Sequence, residues 1–194
     1  YDVDAELTIT AGATAGLFTA LTAFVGQDDE IILVEPAYDS YLPTIKLSGG
    51  KPRFTKLRPP NYGIDWDEIS DLVTDKTRML VLNTPHNPTG ATFQQDDIVA
   101  LKAICEKGDF LILSDEVYEH IVFDDSRHES LSRYPELAER SLVISSFGKT
   151  YHLTGWKIGY CAAPMAITEE FRRVHQFVTY AVNTPVQHAY AEYM

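Results

Sequence analysis

The chain has 194 residues, 45% hydrophobic and 23% charged, so it is long enough to bury the core of one large domain. Sixteen Lys and Arg against 28 Asp and Glu give a formal net charge of −12, which disfavours binding to nucleic acid and to anionic membrane surfaces. The longest apolar runs are too short to span a bilayer, and two cysteines without metal-ligand spacing indicate reduced thiols in a cytoplasmic protein rather than a metal centre.

Short β-branched runs alternate with helical stretches along the chain. The first predicted elements are a helix over Ala13–Val25, a strand over 28–36, a helix over Tyr38–Leu47 and a strand near Arg53–Leu57. A further helix is predicted to be capped by Asp65, with Glu68 as the reciprocal partner of a capping box. The remaining elements are strands over 77–85, 109–116, 141–149 and 156–164, and helices over Gln94–Glu106 and Thr168–Tyr180. Continuous apolar strands separated by helices predict an α/β fold with three layers, in which helices cover both faces of a mostly parallel sheet.

Polar residues follow the predicted strands at the points where the strands end. Asn83 and Asn87 follow one strand, and Asp115 and Lys149 end two others. Ligands of open parallel sheets bind beyond the carboxyl ends of the strands. We therefore expect these side chains to line one site.

The segment Gly12-Ala13-Thr14 lies where a strand would lead into the first helix. Exposed amides, a small residue and a hydroxyl at a helix N-terminus favour binding of an anion, and the helix dipole adds to this preference. A simple helix cap made of small residues is the alternative interpretation.

The sequence HNPTG at 86–90 predicts a tight turn, which either aims the Asn87 amide at a ligand or uses it to stabilise the turn. Asp115 and Glu116 follow a buried strand, so at least one carboxylate is expected to be partly buried and to need a partner. The alternative is an exposed acidic loop. The Tyr118 hydroxyl lies close enough along the chain to reach the same crevice, although packing is the commoner role of a lone tyrosine.

Gly148-Lys149-Thr150 resembles the end of a P-loop, but the P-loop also has a glycine five positions before Gly148, where this chain has Val143. Shielding from water at the mouth of a parallel sheet favours the neutral form of a lysine amine. The neutral amine is nucleophilic towards a carbonyl carbon. Lys157 supplies a second cation, suited to a dianion. A solvated lysine is the alternative.

Together these groups predict a ligand with a phosphate, an aldehyde, a ring nitrogen that carries a proton and a phenolate-like oxygen. Pyridoxal 5'-phosphate has all four. Asp115 would pair with the ring nitrogen, and Lys149 would bond to the aldehyde. The other predicted contacts are Ala13, Thr14, Ser146 and Lys157 with the phosphate, Asn87 and Tyr118 with the phenolic oxygen, and Tyr38 stacked on the ring.

The strings GAT, NTPHNPTG, SDEVYEHIVF and SSFGKTYHLTGWKIGY resemble, in the same order, the motifs of the class I/II aminotransferases of the fold-type I pyridoxal phosphate family. HQFVTYAVNTPVQ at 175–187 resembles the subgroup that acts on methionine, glutamine, kynurenine and aromatic amino acids. The resemblance implies that residues 1–194 form the cofactor-binding large domain, with WKIGYCA as one reversed strand. It carries the catalytic roles over to Lys149, Asp115 and Tyr118. Some relatives have arginine where this chain has Lys157, so charge is kept while bidentate phosphate binding is lost.

The resemblance also implies a homodimer that transfers an amino group from an amino acid to a 2-oxo acid. An N-terminal segment and a C-terminal small domain with the arginine that binds the substrate carboxylate are expected outside these residues. A β-lyase acting on cysteine conjugates is one alternative, because it also begins with loss of the Cα proton. The other is an aminotransferase-like domain that senses a ligand within a transcription regulator.

Overall fold

The computed structural model describes residues 1–124 and 126–194, and it contains one seven-stranded sheet in the order β1-β7-β6-β5-β4-β2-β3. The strands are Leu7–Thr10 (β1), Glu30–Glu35 (β2), Lys51–Lys56 (β3), Thr77–Asn83 (β4), Leu111–Asp115 (β5), Ser141–Ser146 (β6) and Gly159–Ala162 (β7). β7 is antiparallel to both of its neighbours, whereas β6, β5, β4, β2 and β3 pair in parallel. The predicted mostly parallel sheet, with its reversed strand within WKIGYCA, is confirmed.

Helices cover both faces of this sheet. They are Ala13–Phe24 (α1), Tyr41–Leu47 (α2), Trp66–Leu72 (α3), Gln95–Cys105 (α4), Pro135–Ala138 (α5), Phe147–Thr150 (α6), Met165–Val178 (α7) and Thr184–Tyr193 (α8). Two 3-10 turns occur at Leu131–Arg133 and Thr154–Trp156.

The strands are buried on both faces, as their continuous apolar runs predict. In β2, Ile31 and Leu33 pack with α1, α2 and α7, whereas Ile32 and Val34 pack with α3, α4 and α5. The chain thus has two apolar cores separated by one sheet, which confirms the predicted three-layer α/β class.

The start of α3 confirms one half of the predicted capping box. The Asp65 carboxylate accepts a hydrogen bond of 3.0 Å from the backbone N–H of Glu68. Glu68 does not return the bond, because its carboxylate instead accepts from the Thr55 hydroxyl at 2.7 Å. The prediction of a reciprocal box was therefore wrong, since a tertiary partner on β3 replaced the local one.

Most predicted elements differ from the structure by one to three residues at a boundary. α2 begins at Tyr41, because 38–40 form a turn in which the N–H of Tyr41 donates to the carbonyl of Tyr38 at 3.2 Å. α7 begins at Met165, directly after its N-cap residue Pro164, which has extended backbone geometry. The strand predicted over 141–149 ends at Ser146, so Lys149 lies in the helical turn α6.

Gly159 lets the start of α1 lie directly against the sheet. A methyl group at this position would lie 2.6 Å from the carbonyl oxygen of Ser145 and 2.9 Å from the backbone nitrogen of Ala13. Both atoms belong to the backbone and have little freedom to move aside. We therefore expect Gly159→Ala to lower the free energy of unfolding by about 3 kcal/mol, measured by urea denaturation.

Gly155→Ala is the matched control, because no atom lies within 4 Å of the methyl group that it would add. This control should change the unfolding free energy by less than about 0.5 kcal/mol. Equal urea midpoints for the two variants would contradict the close seating of α1 on β7.

Candidate active site

The carboxyl ends of β4, β5 and β6 open into one cavity of about 240 Å³. Every residue predicted for the site from the sequence lies on its lining: Ala13, Thr14, Tyr38, Asn87, Asp115, Tyr118, Ser146, Lys149 and Lys157. Gly12, Asn83 and Val117 also contribute. The polar residues at successive strand ends therefore come together, as the parallel arrangement requires.

Asp115 is the buried carboxylate of this cavity, with 5% of its surface exposed. Burial raises the pKa of its carboxyl group to about 6, and hydrogen bonds from Tyr41 and from the N–H of Val117 oppose this rise. The Tyr41 hydroxyl donates to Oδ2 at 2.5 Å, and the N–H of Val117 donates to Oδ1 at 3.2 Å. Within the protein, Asp115 therefore has a phenol and an amide as partners, and a cationic ligand would relieve its unfavourable burial.

Asn83 connects the ends of β4 and β5. Its side-chain nitrogen donates to the carbonyl oxygen of Asp115 at 2.9 Å, and its side-chain oxygen accepts from the N–H of Asn87 at 2.8 Å. Gly90 has φ +75°, which the predicted tight turn at 86–90 requires. The Asn83 side chain thus anchors the turn. The Asn87 side chain has no hydrogen-bond partner in the described part of the chain.

The N-terminus of α1 forms the opposite wall. Its N-cap is Gly12, with φ +79°, and no side chain caps the first helical amides. A Cβ at Gly12 would lie 3.2 Å from Nζ of Lys157, so the glycine leaves room for that amine beside the helix end. Free helix amides beside a lysine form a binding site for an anion such as phosphate.

Lys149 lies half-buried in α6, and its Nζ is 5.8 Å from the ring centroid of Tyr118. Across residues 1–124 and 126–194, neither Lys149 nor Lys157 forms a salt bridge. Both amines are therefore available to a ligand.

Two hydroxyl groups of the predicted phosphate site have protein partners. The hydroxyls of Thr14 and Tyr38 lie 3.3 Å apart, and Oγ of Ser146 accepts from the N–H of Gly148 at 3.2 Å, which caps α6. A bound phosphate would compete with these partners for the hydroxyls.

Sequence reasoning missed Tyr41 as a site residue and assigned no role to Asn83. Tyr41 lies 74 positions from Asp115, and its contact depends on how α2 packs over the end of β5. No local pattern signals such a contact. The position of Asn83 at a strand end was a usable signal, but its role emerges only from its bonds to Asp115 and Asn87.

No helix among residues 1–124 and 126–194 is long and apolar enough to cross a bilayer. Across the same residues, no group of three or more His, Cys, Asp or Glu side chains is arranged to hold a metal ion.

Comparison with known proteins gives consistent matches over the whole chain. The family model described as aminotransferase class I and II matches residues 1–194. A methionine aminotransferase of Escherichia coli is 49% identical over 98% of this chain and 50% of its own length. Human kynurenine–oxoglutarate transaminase 3 is 35% identical over 98% of this chain and 44% of its own length.

A solved structure shows the same architecture. The crystal structure of YbdL from Escherichia coli, for which a methionine aminotransferase function is described, superposes with a TM-score of 0.96 and 49% identity. The match covers 98% of this chain and 50% of that one. The chain spans about half the length of the curated relatives it matches.

Proposed function

Since the chain belongs to the aminotransferase class I and II family, we propose that it holds pyridoxal phosphate and transfers an amino group from an amino acid to a 2-oxo acid. The observation that carries this proposal is the cavity that places the free amine of Lys149 and the buried carboxylate of Asp115 on one lining. The resemblance stated from the four sequence motifs, including the methionine and kynurenine subgroup, is confirmed by the comparisons. Residues 1–194 would form the cofactor-binding large domain.

The lining fits pyridoxal phosphate group by group. The uncapped amides of α1, together with Thr14, Ser146 and Lys157, suit the phosphate. Asp115 suits a protonated ring nitrogen, because a cation compensates a buried carboxylate. Asn87 and Tyr118 suit the phenolic oxygen, and Lys149 would hold the aldehyde carbon.

When bound, this cofactor withdraws electrons from the Cα atom of an attached amino acid. Nζ of Lys149 would hold the cofactor's aldehyde carbon and, when free, would serve as the base for the Cα proton. Asp115 would favour a protonated ring nitrogen by presenting a carboxylate in a water-poor site. Tyr38 would stack on the ring, and Asn87, on a turn that Asn83 anchors, would donate to the phenolic oxygen.

Two of the relatives are named for methionine and for kynurenine. We therefore infer methionine, glutamine, kynurenine or an aromatic amino acid as the amino donor. The homodimer expected for the family and a cytoplasmic location belong to the same proposal. Cys105 and Cys161 are free thiols, as expected in a reducing compartment.

Reductive trapping tests the cofactor site. The purified protein is incubated with pyridoxal phosphate, reduced with borohydride and digested, and mass spectrometry locates the modified residue. We expect modification of Lys149, because its side chain is half-buried in the cavity and, among the described residues, forms no salt bridge with a carboxylate. Modification of Lys157 or of the exposed Lys46 instead would contradict the assignment.

A product assay separates the proposal from its alternatives. Amino transfer from methionine should require a 2-oxo acid and should yield the corresponding new amino acid. Release of pyruvate and ammonia from a cysteine conjugate without an acceptor would identify a β-lyase. Ligand binding without any turnover would favour the sensing domain, although the curated relatives named above are transaminases.

A further inference from the structure

Tyr41 makes the shortest side-chain contact to the cavity carboxylate. Its hydroxyl donates to Oδ2 of Asp115 at 2.5 Å, and only 2% of its surface is exposed. Tyr41 is the first residue of α2, and its ring meets the Tyr38 ring edge-on at a centroid distance of 5.6 Å. The Tyr38 ring and the hydrogen bond to Asp115 thus hold the Tyr41 phenol in place without a ligand.

Two of the remaining contacts of Asp115 fix its backbone, and one reaches the other oxygen of its carboxylate. Asn83 and the N–H of Thr84 both donate to its carbonyl oxygen, at 2.9 and 3.0 Å. The N–H of Val117 donates to Oδ1 at 3.2 Å. Within the described residues, Oδ2 has Tyr41 as its one donor, so the Tyr41 hydroxyl and the N–H of Val117 together set the orientation of the carboxylate.

We propose that Tyr41 is a positioning residue, which orients the Asp115 carboxylate and stabilises its charged form for a cationic ring nitrogen. The role of the ring nitrogen rests on the proposed function, whereas the Tyr41–Asp115 interaction does not depend on it. A hydrogen bond from a phenol to a buried carboxylate favours the anion, because it replaces part of the lost hydration.

Several other ionisable groups lie near Asp115. Tyr38 and Tyr118 line the same cavity, as do the amines of Lys149 and Lys157. The neighbouring Glu116 accepts bonds from Ser114, His128 and the N–H of Leu131, and its charge raises the pKa of Asp115. Burial is the largest cause of the raised pKa, and the Tyr41 hydrogen bond is the largest opposing one. Loss of the hydroxyl therefore raises the pKa of Asp115 further.

Tyr41→Phe keeps the buried ring and removes the hydroxyl, so it tests this role directly. A carboxyl group whose pKa is higher in the folded than in the unfolded state favours folding at low pH, and the advantage is lost as pH rises through the folded pKa. For the cofactor-free wild type this loss should be complete shortly above the Asp115 pKa of about 6. In Tyr41→Phe the loss should continue to higher pH, measured by urea unfolding at intervals from about pH 4 to pH 9.

The same substitution in an Asp115→Asn background completes a thermodynamic cycle. There the pH-dependent part of the Tyr41→Phe effect should disappear, because the titrating group is gone. An equal pH-dependent effect in both backgrounds would show that Tyr41 supports only packing, which overturns the proposal.

Cofactor affinity gives the second readout. The dissociation constant for pyridoxal phosphate should rise about tenfold in Tyr41→Phe, the loss expected for a hydrogen bond to a charged group. Tyr160→Phe is the matched control, because it removes a half-buried phenol that donates to the carboxylate of Glu119 at 2.8 Å, outside the cavity lining. That control should leave the affinity within about twofold of the wild type.

The outcomes separate the two proposals. If the wild type binds pyridoxal phosphate at Lys149 and Tyr41→Phe matches it in affinity and in pH profile, the positioning role is wrong and the proposed function stands. If the wild type binds no cofactor, the proposed function fails. The pH cycle, measured without cofactor, then still decides whether Tyr41 stabilises the charged form of Asp115.

Discussion

Lys149→Ala is expected to reduce the rate of amino transfer by about 10⁴-fold or more, because in the proposed mechanism one amine would both hold the cofactor and move the Cα proton. The visible absorbance that pyridoxal phosphate gains when it bonds to a protein lysine should also be lost. Stopped-flow assays of single turnovers, together with absorbance spectra of the variant, measure the two effects.

Lys46→Ala is the control for this substitution. Lys46 lies exposed in the last turn of α2 and does not line the cavity, so its loss should leave both rate and spectrum unchanged. A Lys149→Ala protein that still showed the protein-bound absorbance would place the covalent bond on another amine. Lys157, which shares the cavity, would then be the next residue to replace.

Asp115→Asn is expected to have opposite effects on activity and on stability. Amino transfer should fall by about 10³-fold, because a neutral amide no longer favours a protonated ring nitrogen. The cofactor-free protein should become more stable by about 2 kcal/mol at pH 8, where the wild type buries a charged carboxylate whose pKa is about 6. Steady-state kinetics and urea unfolding measure the two effects.

The sign of the stability change depends on pH. Burial raises the pKa of Asp115, so the folded wild type binds a proton more tightly than the unfolded chain and loses stability as pH rises towards about 6. The gain from Asp115→Asn should therefore be large at pH 8 and small near pH 4, where the folded carboxyl is already neutral. Asp109→Asn makes the same change at an exposed position and should show no such trend. A gain independent of pH would contradict the buried-charge explanation.

The opposing effects of Asp115→Asn would identify a site that functions at the expense of the stability of the free protein. The carboxylate is unfavourable where it stands and becomes favourable when a cation binds beside it. The affinity for a protonated ring would then include the relief of this unfavourable burial.

Much of the fold follows from the sequence because each core strand is a continuous apolar run that ends in polar residues. β4, β5 and β6 could be located in this way, and so could the residues beyond them, Asn87, Asp115 and Lys149. The motif order supported the direction of β7, which periodicity alone does not specify. The structure brings the predicted site residues to one cavity, and their chemical roles remain predictions.

The parts that the sequence did not reveal depend on contacts between distant segments. The Tyr41–Asp115 hydrogen bond joins α2 to the end of β5, and the Glu68–Thr55 bond joins α3 to β3. Tyr41 and Glu68 thus both bond to a residue of a distant segment rather than to a neighbour in the sequence. Such partners depend on the angle and depth at which a helix packs on the sheet, which residue spacing does not encode.

The Asn83 bridge has a consequence for how the cavity adapts to what enters it. Because the Asn83 side chain joins the main chain of Asp115 to that of Asn87, a shift of the turn at 86–90 would be transmitted to the end of β5. A ligand that displaces Asn87 would therefore also move Asp115.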